Sequence, residues 1–304
     1  MKRILFIINP ISGVEGKQNL PNLIATYLNQ DLFSYEITYT QYRHHAKEIT
    51  RAAIQRGFDV VVAVGGDGSV NEIASELVDT DLALGIISLG SGNGLARKLG
   101  VFSPRVPEAI DILNAFCVRK IDVGVANERY FFSNAGMGVE ADVVADYAHV
   151  KRRGLLSYAQ LGYSHTFEHQ AKEYQITLPD GSSFVRTCFM VNVSNAGQYG
   201  YGIGLTPESD LSDGLLELTI VRDFQPRLAA IWLAIVTALN RPKWSGLLEV
   251  ITIDKCTISV RNEPIATQID GDPAPPANVL TCYVKPQALK VLVKQDNNKP
   301  AKSI

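Results

Sequence analysis

Apolar positions follow two different rhythms along this chain of 304 residues. In the first 120 or so, continuous apolar runs alternate with segments whose apolar residues recur every three or four positions. KRILFII is a β-rich run, helical spacing covers about Lys17 to Asn29, and SYEITYT alternates as a strand. HHAKEITRAAIQRG has helical spacing and stops at Gly57, where DVVVAVGG begins a strand of the fully buried type. SVNEIASELV then reads as a helix and LGIISLG as another strand. Strands apolar on both faces and separated by helices predict a mainly parallel sheet covered on both sides.

After about Ile121 the rhythm changes. VGVANERYFFSNAG predicts a hairpin turning near Asn127 and Glu128, followed by helical segments around Val139 to His149 and Leu155 to His169. Short alternating segments bounded by turn residues come next: EYQITLPDGSSFVRTCFMVNVSN, LLELTIVRD, VITIDKCTISVRN and ATQIDGD. They predict an antiparallel, sandwich-like β-domain. LAAIWLAIVTAL, from Leu228 to Leu239, is shorter than the roughly 20 residues that span a bilayer. With apolar residues around most of its circumference it reads as a buried core helix, in preference to a membrane-surface helix flanked by Arg227, Arg241, Lys243 and Trp244.

Composition narrows the class. Hydrophobic residues are 46% and charged residues 20%, and the formal net charge is -2, so nothing basic points to nucleic acid. The opening MKRILFIINPISG breaks at Asn9-Pro10 with no small-residue cleavage site after it, and is expected to be a first strand and not a signal peptide. Four cysteines without CxxC spacing are expected to be reduced and structural, which fits a cytoplasmic location.

The candidate chemistry lies in two glycine turns. GGDGS, from Gly65 to Ser69, sits where a strand ends and a helix begins, and SLGSGNGLARKLG repeats the design at Gly90, Ser91, Gly92, Asn93 and Gly94. Helix N-termini attract anions and glycines let backbone approach phosphate closely. GVEGKQ fails as a P-loop, and no GxGxxG follows the first strand. A carboxylate at Asp67 inside an anion-seeking turn is tolerable where a divalent cation lies between it and phosphate, or where it orders the attacking group. Nucleotide plus metal implies phosphoryl transfer.

These residues carry a resemblance. VVVAVGGDGSVNEIASEL with LGIISLGSGNGLARKLG resembles the diacylglycerol kinase catalytic family of bacterial lipid kinases, related to sphingosine and ceramide kinases. NPISG, GMGVEADVV, KRRGLLSYA, DLSDGLLEL, QIDGD and the closing KPQALKVLVK match in the same order. The resemblance implies a two-domain lipid-kinase fold. A nucleotide-binding α/β domain would occupy 1–122 and a β-rich substrate and metal domain 123–285, with a final strand over about 286–295 returning to the first. ATP would be contacted by Asn9, Gly13, Thr40, Gly65, Gly66, Asp67, Gly68, Ser69, Asn71 and Ser91, with Asp67 also organising phosphate and Mg²⁺. Asp210, Asp213 and the carbonyl of Leu215 would hold a structural Mg²⁺, and hard oxygen donors suit that ion. Asp272 would be the general base toward a lipid hydroxyl, where the family has Glu. Asp270 and Asp67 remain the alternatives. The implied acceptor is a lipid, diacylglycerol by default with sphingoid or other long-chain alcohols open. It would be met at a membrane surface by a peripheral protein that could form a homodimer. A soluble-substrate kinase of the NAD kinase or phosphofructokinase type, or a non-catalytic binding protein, would use the same GGDG turn.

Three further patterns have other readings. HTFEH (His165 to His169) matches a zinc-protease spacing but lacks a third ligand, and reads as a polar helix face. Lys151, Arg152 and Arg153, with Arg97 and Lys98, read as a solvated basic face before a lipid-headgroup patch. His44 and His45 open a helix at the surface.

Overall fold

The computed structural model describes residues 1–11, 19–150, 155–168, 170–198, 204–224, 229–261 and 263–295. They fall into two compact units, one from the described residues of 1–121 with 288–295 and the other from those of 122–287.

The first unit is a parallel sheet with helices. Its elements are β1 (Lys2–Ile8), α1 (Leu20–Tyr27), β2 (Phe33–Tyr39), α2 (His45–Gln55), β3 (Val60–Gly65), α3 (Asp67–Leu77), β4 (Ala83–Ser88), α4 (Gly94–Lys98) and α5 (Val106–Ala115). The strand order is β2-β1-β3-β4, all parallel, with Lys290 and Val291 of the chain's last strand beside Ala83 and Leu84. Every residue of β3 and β4 is buried, as the uninterrupted apolar runs require of a sheet covered on both faces. Phe6, Ile24, Val62, Ile110 and Leu113 belong to one core cluster. The chain steps from β1 out to β2 and then back past β1 to β3. The strand order therefore reverses between β1 and β3, the place where open α/β sheets bind ligands at their carboxyl edge.

Helix α3 starts earlier than the apolar pattern suggested. Gly66 is its extended N-cap (φ −97°, ψ −171°), so Asp67 and Gly68 lie in the first helical turn and not in a loop. An acidic residue there is favoured by the helix dipole.

The second unit is antiparallel. β5 (Cys117–Ala126) enters it and turns through Asn127 and Glu128, both at positive φ (44° and 68°), into β6 (Arg129–Phe131). That is the predicted hairpin, of the primed type whose twist matches the strands. Then follow β7 (Asn134–Gly138), α6 (Val139–Tyr147), α7 (Leu155–Glu168), β8 (Lys172–Thr177), β9 (Ser183–Ser194), β10 (Leu216–Arg222), α8 (Ala229–Ala238), β11 (Leu248–Ile253), β12 (Lys255–Ser259), β13 (Ile265–Ile269), β14 (Asp272–Ala277) and β15 (Val279–Val293). The long β9 pairs with β8 through its first half and β7 through its second, while β10 runs along its other edge. One strand shared in this way carries the ladder around a corner. Tyr174, Ile176, Val191, Val193, Leu218 and Ile258 form part of its core.

Two expectations are corrected here, and one strand was not anticipated. Helix α8 is not enclosed: Ile231, Trp232 and Ile235 on it, and Leu239 just beyond it, are exposed. The proline-rich DPAPPA forms strand β14, paired among the described residues only with β13. An edge position tolerates proline because half of its backbone groups need no partner. The last strand begins at Val279, upstream of the Pro286 where it was expected.

Candidate functional site

In the first unit, the carboxyl ends of β1, β2, β3 and β4 bring together most of the residues predicted to contact ATP. Asn9 follows β1, and its side-chain Nδ2 donates to Ser69 Oγ at 3.1 Å, across the point where the strand order reverses. Thr40 follows β2, its N–H bonded to the Ile8 carbonyl at 2.9 Å. Gly65 ends β3, and Gly66, Gly68, Ser69 and Asn71 form the start of α3, whose first N–H groups have no partner within the helix. Ser91 is exposed in the second glycine turn. Gly13 lies outside the described residues.

Asp67 has a specific job in this arrangement. Its Oδ2 accepts the Asn93 N–H and its Oδ1 the Gly94 N–H, both at 2.7 Å. The carboxylate thus fills the amides that open α4, and the second glycine turn is tied to the first by a charge-assisted pair of bonds. The anion-seeking amides left for a ligand are those of α3. Asn93 is held in the left-handed region (φ 55°) and donates to the Gly90 carbonyl at 2.6 Å. Gly90 in turn lies against Gly66 so closely that a Cβ on Gly90 would sit 2.6 Å from the Gly66 Cα. Gly90 therefore needs glycine, whereas a Cβ on Gly66 would meet the Gly90 Cα at a tight 3.3 Å.

In the second unit, the loop after Ser209 carries the predicted metal ligands. Asp210 Oδ1 accepts the Ser212 N–H at 3.0 Å and the Ser212 hydroxyl at 2.8 Å, and Asp213 Oδ1 accepts the Leu215 N–H at 3.0 Å. Gly214 turns the loop at φ 76°. Its N–H donates to Asp122 Oδ2 at 2.7 Å, and Gln287 N–H donates to Asp122 Oδ1 at 2.7 Å. Asp122 is fully buried and fixes this loop to Gln287, a left-handed residue (φ 50°) within the last strand. Sequence reasoning missed it. Its one signal is a lone charge in the otherwise apolar IDVGV. Among the described residues, no three His, Cys, Asp or Glu side chains cluster as metal ligands. Asp210, Asp213 and Leu215 lie within six residues of one loop, and carboxylate and carbonyl oxygens are the donor type that hard cations such as Mg²⁺ take.

The IDGD segment is a two-residue hairpin between β13 and β14, with Ile269 opposite Asp272 and both Asp270 (φ 51°) and Gly271 (φ 76°) left-handed. The two candidate bases part company here. Asp270 accepts backbone N–H groups from Phe132 (2.9 Å), Ser133 (2.7 Å) and Asn134 (3.1 Å), so its carboxylate anchors the hairpin to the link between β6 and β7 and to the first residue of β7. Asp272 is exposed, with no side-chain hydrogen bond among the described residues. Beneath the turn lies a buried polar cluster. Gln268 accepts the Gly271 N–H at 3.0 Å and donates to Asn134 at 2.6 Å and Glu140 at 3.3 Å, while Asn192 donates to Glu140 at 2.9 Å. Such a network specifies one geometry when its members are satisfied. Only its ends, in GMGVEADVV and QIDGD, were visible in sequence.

The remaining patterns resolve simply. His165 pairs with Asp146 at 2.8 Å, and His169 lies outside the described residues, as do Lys151, Arg152, Arg153 and Arg227. The Arg97 guanidinium stacks 3.8 Å over Phe102. His44 meets Glu72 at 3.3 Å at the start of α2. The four cysteines are free.

Residues 3–126 match the family profile "Diacylglycerol kinase catalytic domain", and 133–293 match "YegS C-terminal NAD kinase beta sandwich-like domain". A protein of Chromohalobacter salexigens named with the YegS-like lipid kinases is 37% identical over 183 residues, 58% of each chain. The diacylglycerol kinase of Bacillus subtilis is 31% identical over 230 residues, 73% of this chain and 74% of that one. A crystal structure of a diacylglycerol kinase from Bacillus anthracis shares the fold at a TM-score of 0.70 and 19% identity, over 96% of this chain and 97% of that one.

Proposed function

Because this chain belongs to the diacylglycerol kinase family of lipid kinases, we propose that it transfers the γ-phosphoryl group of ATP to a lipid hydroxyl, with diacylglycerol the default acceptor. The observation that carries this reading is the IDGD hairpin. Three backbone amides take up Asp270, and the same turn presents Asp272 as an exposed carboxylate on a braced support.

Each residue set has a role. The amides of Gly66, Gly68 and Ser69 hold ATP phosphates, Asn9 and Thr40 border them, and Asn71 and Ser91 complete the contacts. Asp67 keeps the two glycine turns in register, and its charge would help to order phosphate and Mg²⁺. Asp272 accepts the proton of the attacking hydroxyl. Its side chain is one methylene shorter than the family's Glu, so the acceptor must approach this hairpin more closely to come within about 2.6–3.2 Å. Asp210, Asp213 and the Leu215 carbonyl would hold Mg²⁺, which supplies charge neutralisation and locks that loop. Positioning and charge stabilisation account for most of the rate in such transfers. The protein would work at the cytoplasmic surface of a membrane, transiently attached. No helix among the described residues is long and apolar enough to cross one.

The experiment is Mg²⁺-dependent transfer of labelled γ-phosphate, offering diacylglycerol, a sphingoid base and ceramide in micelles beside NAD and fructose 6-phosphate. Label in an organic-extractable product is expected. Asp272→Asn should lower kcat by about 10²–10⁴ with the KM for ATP unchanged, and Asp272→Glu should retain part of the rate. Label moving only into NAD or fructose 6-phosphate, or an Asp272→Asn protein as fast as the wild type, overturns the reading.

A further inference from the structure

Helix α8 and the 3-10 turn behind it (Pro242–Ser245) form an apolar edge that no described residue covers. Inward, Leu233 packs on the cluster holding Phe189, Val221 and Phe224, and Val236 and Thr237 are buried. Outward, Ile231, Trp232, Ile235 and Leu239 are exposed by 44, 48, 47 and 62%, and Trp244 by 66%. Offsets of three and four residues align them in one stripe. No charged residue occurs from Ala229 to Leu239, and Arg241 and Lys243 follow immediately. The Arg241 guanidinium lies 5.6 Å from the Trp244 ring, whereas Lys243 is paired with Glu208 at 3.0 Å.

We propose that this edge docks the protein on an anionic phospholipid membrane. Trp232, Ile235 and Leu239 enter the boundary between headgroups and acyl chains, and Arg241 meets lipid phosphate. The proposal deepens the lipid-kinase reading, on which its choice of partner rests, by naming the surface that reaches the acceptor. Two observations favour a membrane over a second copy of the chain. Ten helical residues present a face ~15 Å by ~10 Å, on the order of 150 Å², against the roughly 800 Å² per partner of a stable protein interface. A bilayer needs no complementary shape, and indole rings at both ends of an apolar stripe with a cation beside them suit its interface.

Trp232 and Trp244 are the chain's only tryptophans, so intrinsic fluorescence reads this edge alone. The full-length protein is titrated with vesicles of phosphatidylcholine, with and without phosphatidylglycerol. A blue shift and co-sedimentation are expected, stronger with phosphatidylglycerol and weakened by salt. Ile235→Asp, which keeps both indoles, should weaken partition about tenfold or more, the factor that burying one such side chain is worth. Arg241→Gln should weaken binding to the anionic vesicles only. Both variants should melt like the wild type and phosphorylate a short-chain, water-soluble diacylglycerol at its rate. The proposal is overturned by vesicles that leave the emission unmoved, by Ile235→Asp sedimenting like the wild type, or by a vesicle-independent dimer in light scattering that Ile235→Asp abolishes. Turnover of the short-chain acceptor without vesicle binding sinks the docking surface and spares the kinase reading. Vesicle binding that Ile235→Asp abolishes, with no acceptor phosphorylated, does the reverse.

Discussion

Replacing Gly90 by alanine tests whether the two glycine turns form one rigid cradle. The added Cβ would sit 2.6 Å from the Gly66 Cα and 3.0 Å from Asn93 Oδ1. Carbon atoms prefer about 3.5–4.0 Å, so one turn must move by about 1 Å. Neither contact is the end of a flexible chain, since one is backbone and Asn93 is buried and already bonded to the Gly90 carbonyl. The cost should be about 1–3 kcal/mol, as for other overpacked sites. Gly68 is the matched control. It is helical, and a Cβ there meets nothing within 4 Å, so Gly68→Ala should gain about 0.5–1 kcal/mol. Urea unfolding measures both changes, and KM for ATP is read on the same proteins. Gly90→Ala should raise that KM with little effect on the KM for lipid. Gly68→Ala should also raise it, while stabilising the fold, because bound phosphate would occupy the space the new methyl takes. Wild-type stability and KM in Gly90→Ala would refute the cradle. A more stable Gly68→Ala with an unaltered KM would refute phosphate contact at the start of α3.

Asp270→Asn tolerates the left-handed turn but removes the charge that three amides share, so it should destabilise by about 3 kcal/mol in urea unfolding. An Asp270→Asn protein of full stability would dissociate the anchor from the hairpin. The two-pronged bond from Arg186 holds the Glu249 carboxyl below its ordinary range. A depressed carboxyl stabilises the fold above its unfolded value of about 4.3, and that contribution is lost as pH falls through the folded value. Glu249→Gln should therefore cost about 1 kcal/mol at neutral pH, and the gap to wild type should close in acid. A gap independent of pH would count against the ion pair. Burial pushes the Cys188 thiol up to about 12, and Cys256 and Cys282 are buried opposite each other across β12 and β15. Maleimide should label only half-buried Cys117 in the native protein, and all four cysteines after denaturation. Rapid native labelling of a second thiol would contradict that packing.

The alternating architecture was legible because β3 and β4 are apolar at every position and each ends in glycine or serine before a helix, a local signal. The job of Asp67 was not, since its partners lie 26 and 27 residues away in a turn that sequence reads as a second anion cradle. Asp270 and Asp272 look equivalent in QIDGD, and they separate only when the hairpin aims one at the amides of Ser133 and Asn134 where β7 begins. Helix α8 was misread for the opposite reason. An all-apolar helix has no polar face to orient it, so the sequence shows that it avoids charge without showing what it faces. The Asp122 clamp and the Gln268–Glu140 cluster depend on contacts 92 and 128 residues apart, beyond any periodicity.

The prolines after Asp272 have a consequence for the edge of the sheet. An edge strand usually offers a row of spare N–H donors to any passing chain, an invitation to aggregate. Pro273, Pro275 and Pro276 remove three donors from the six residues of β14. The rim that displays Asp272 therefore resists being lengthened by another polypeptide. Three prolines in six residues thus guard this edge against pairing with further copies of the chain.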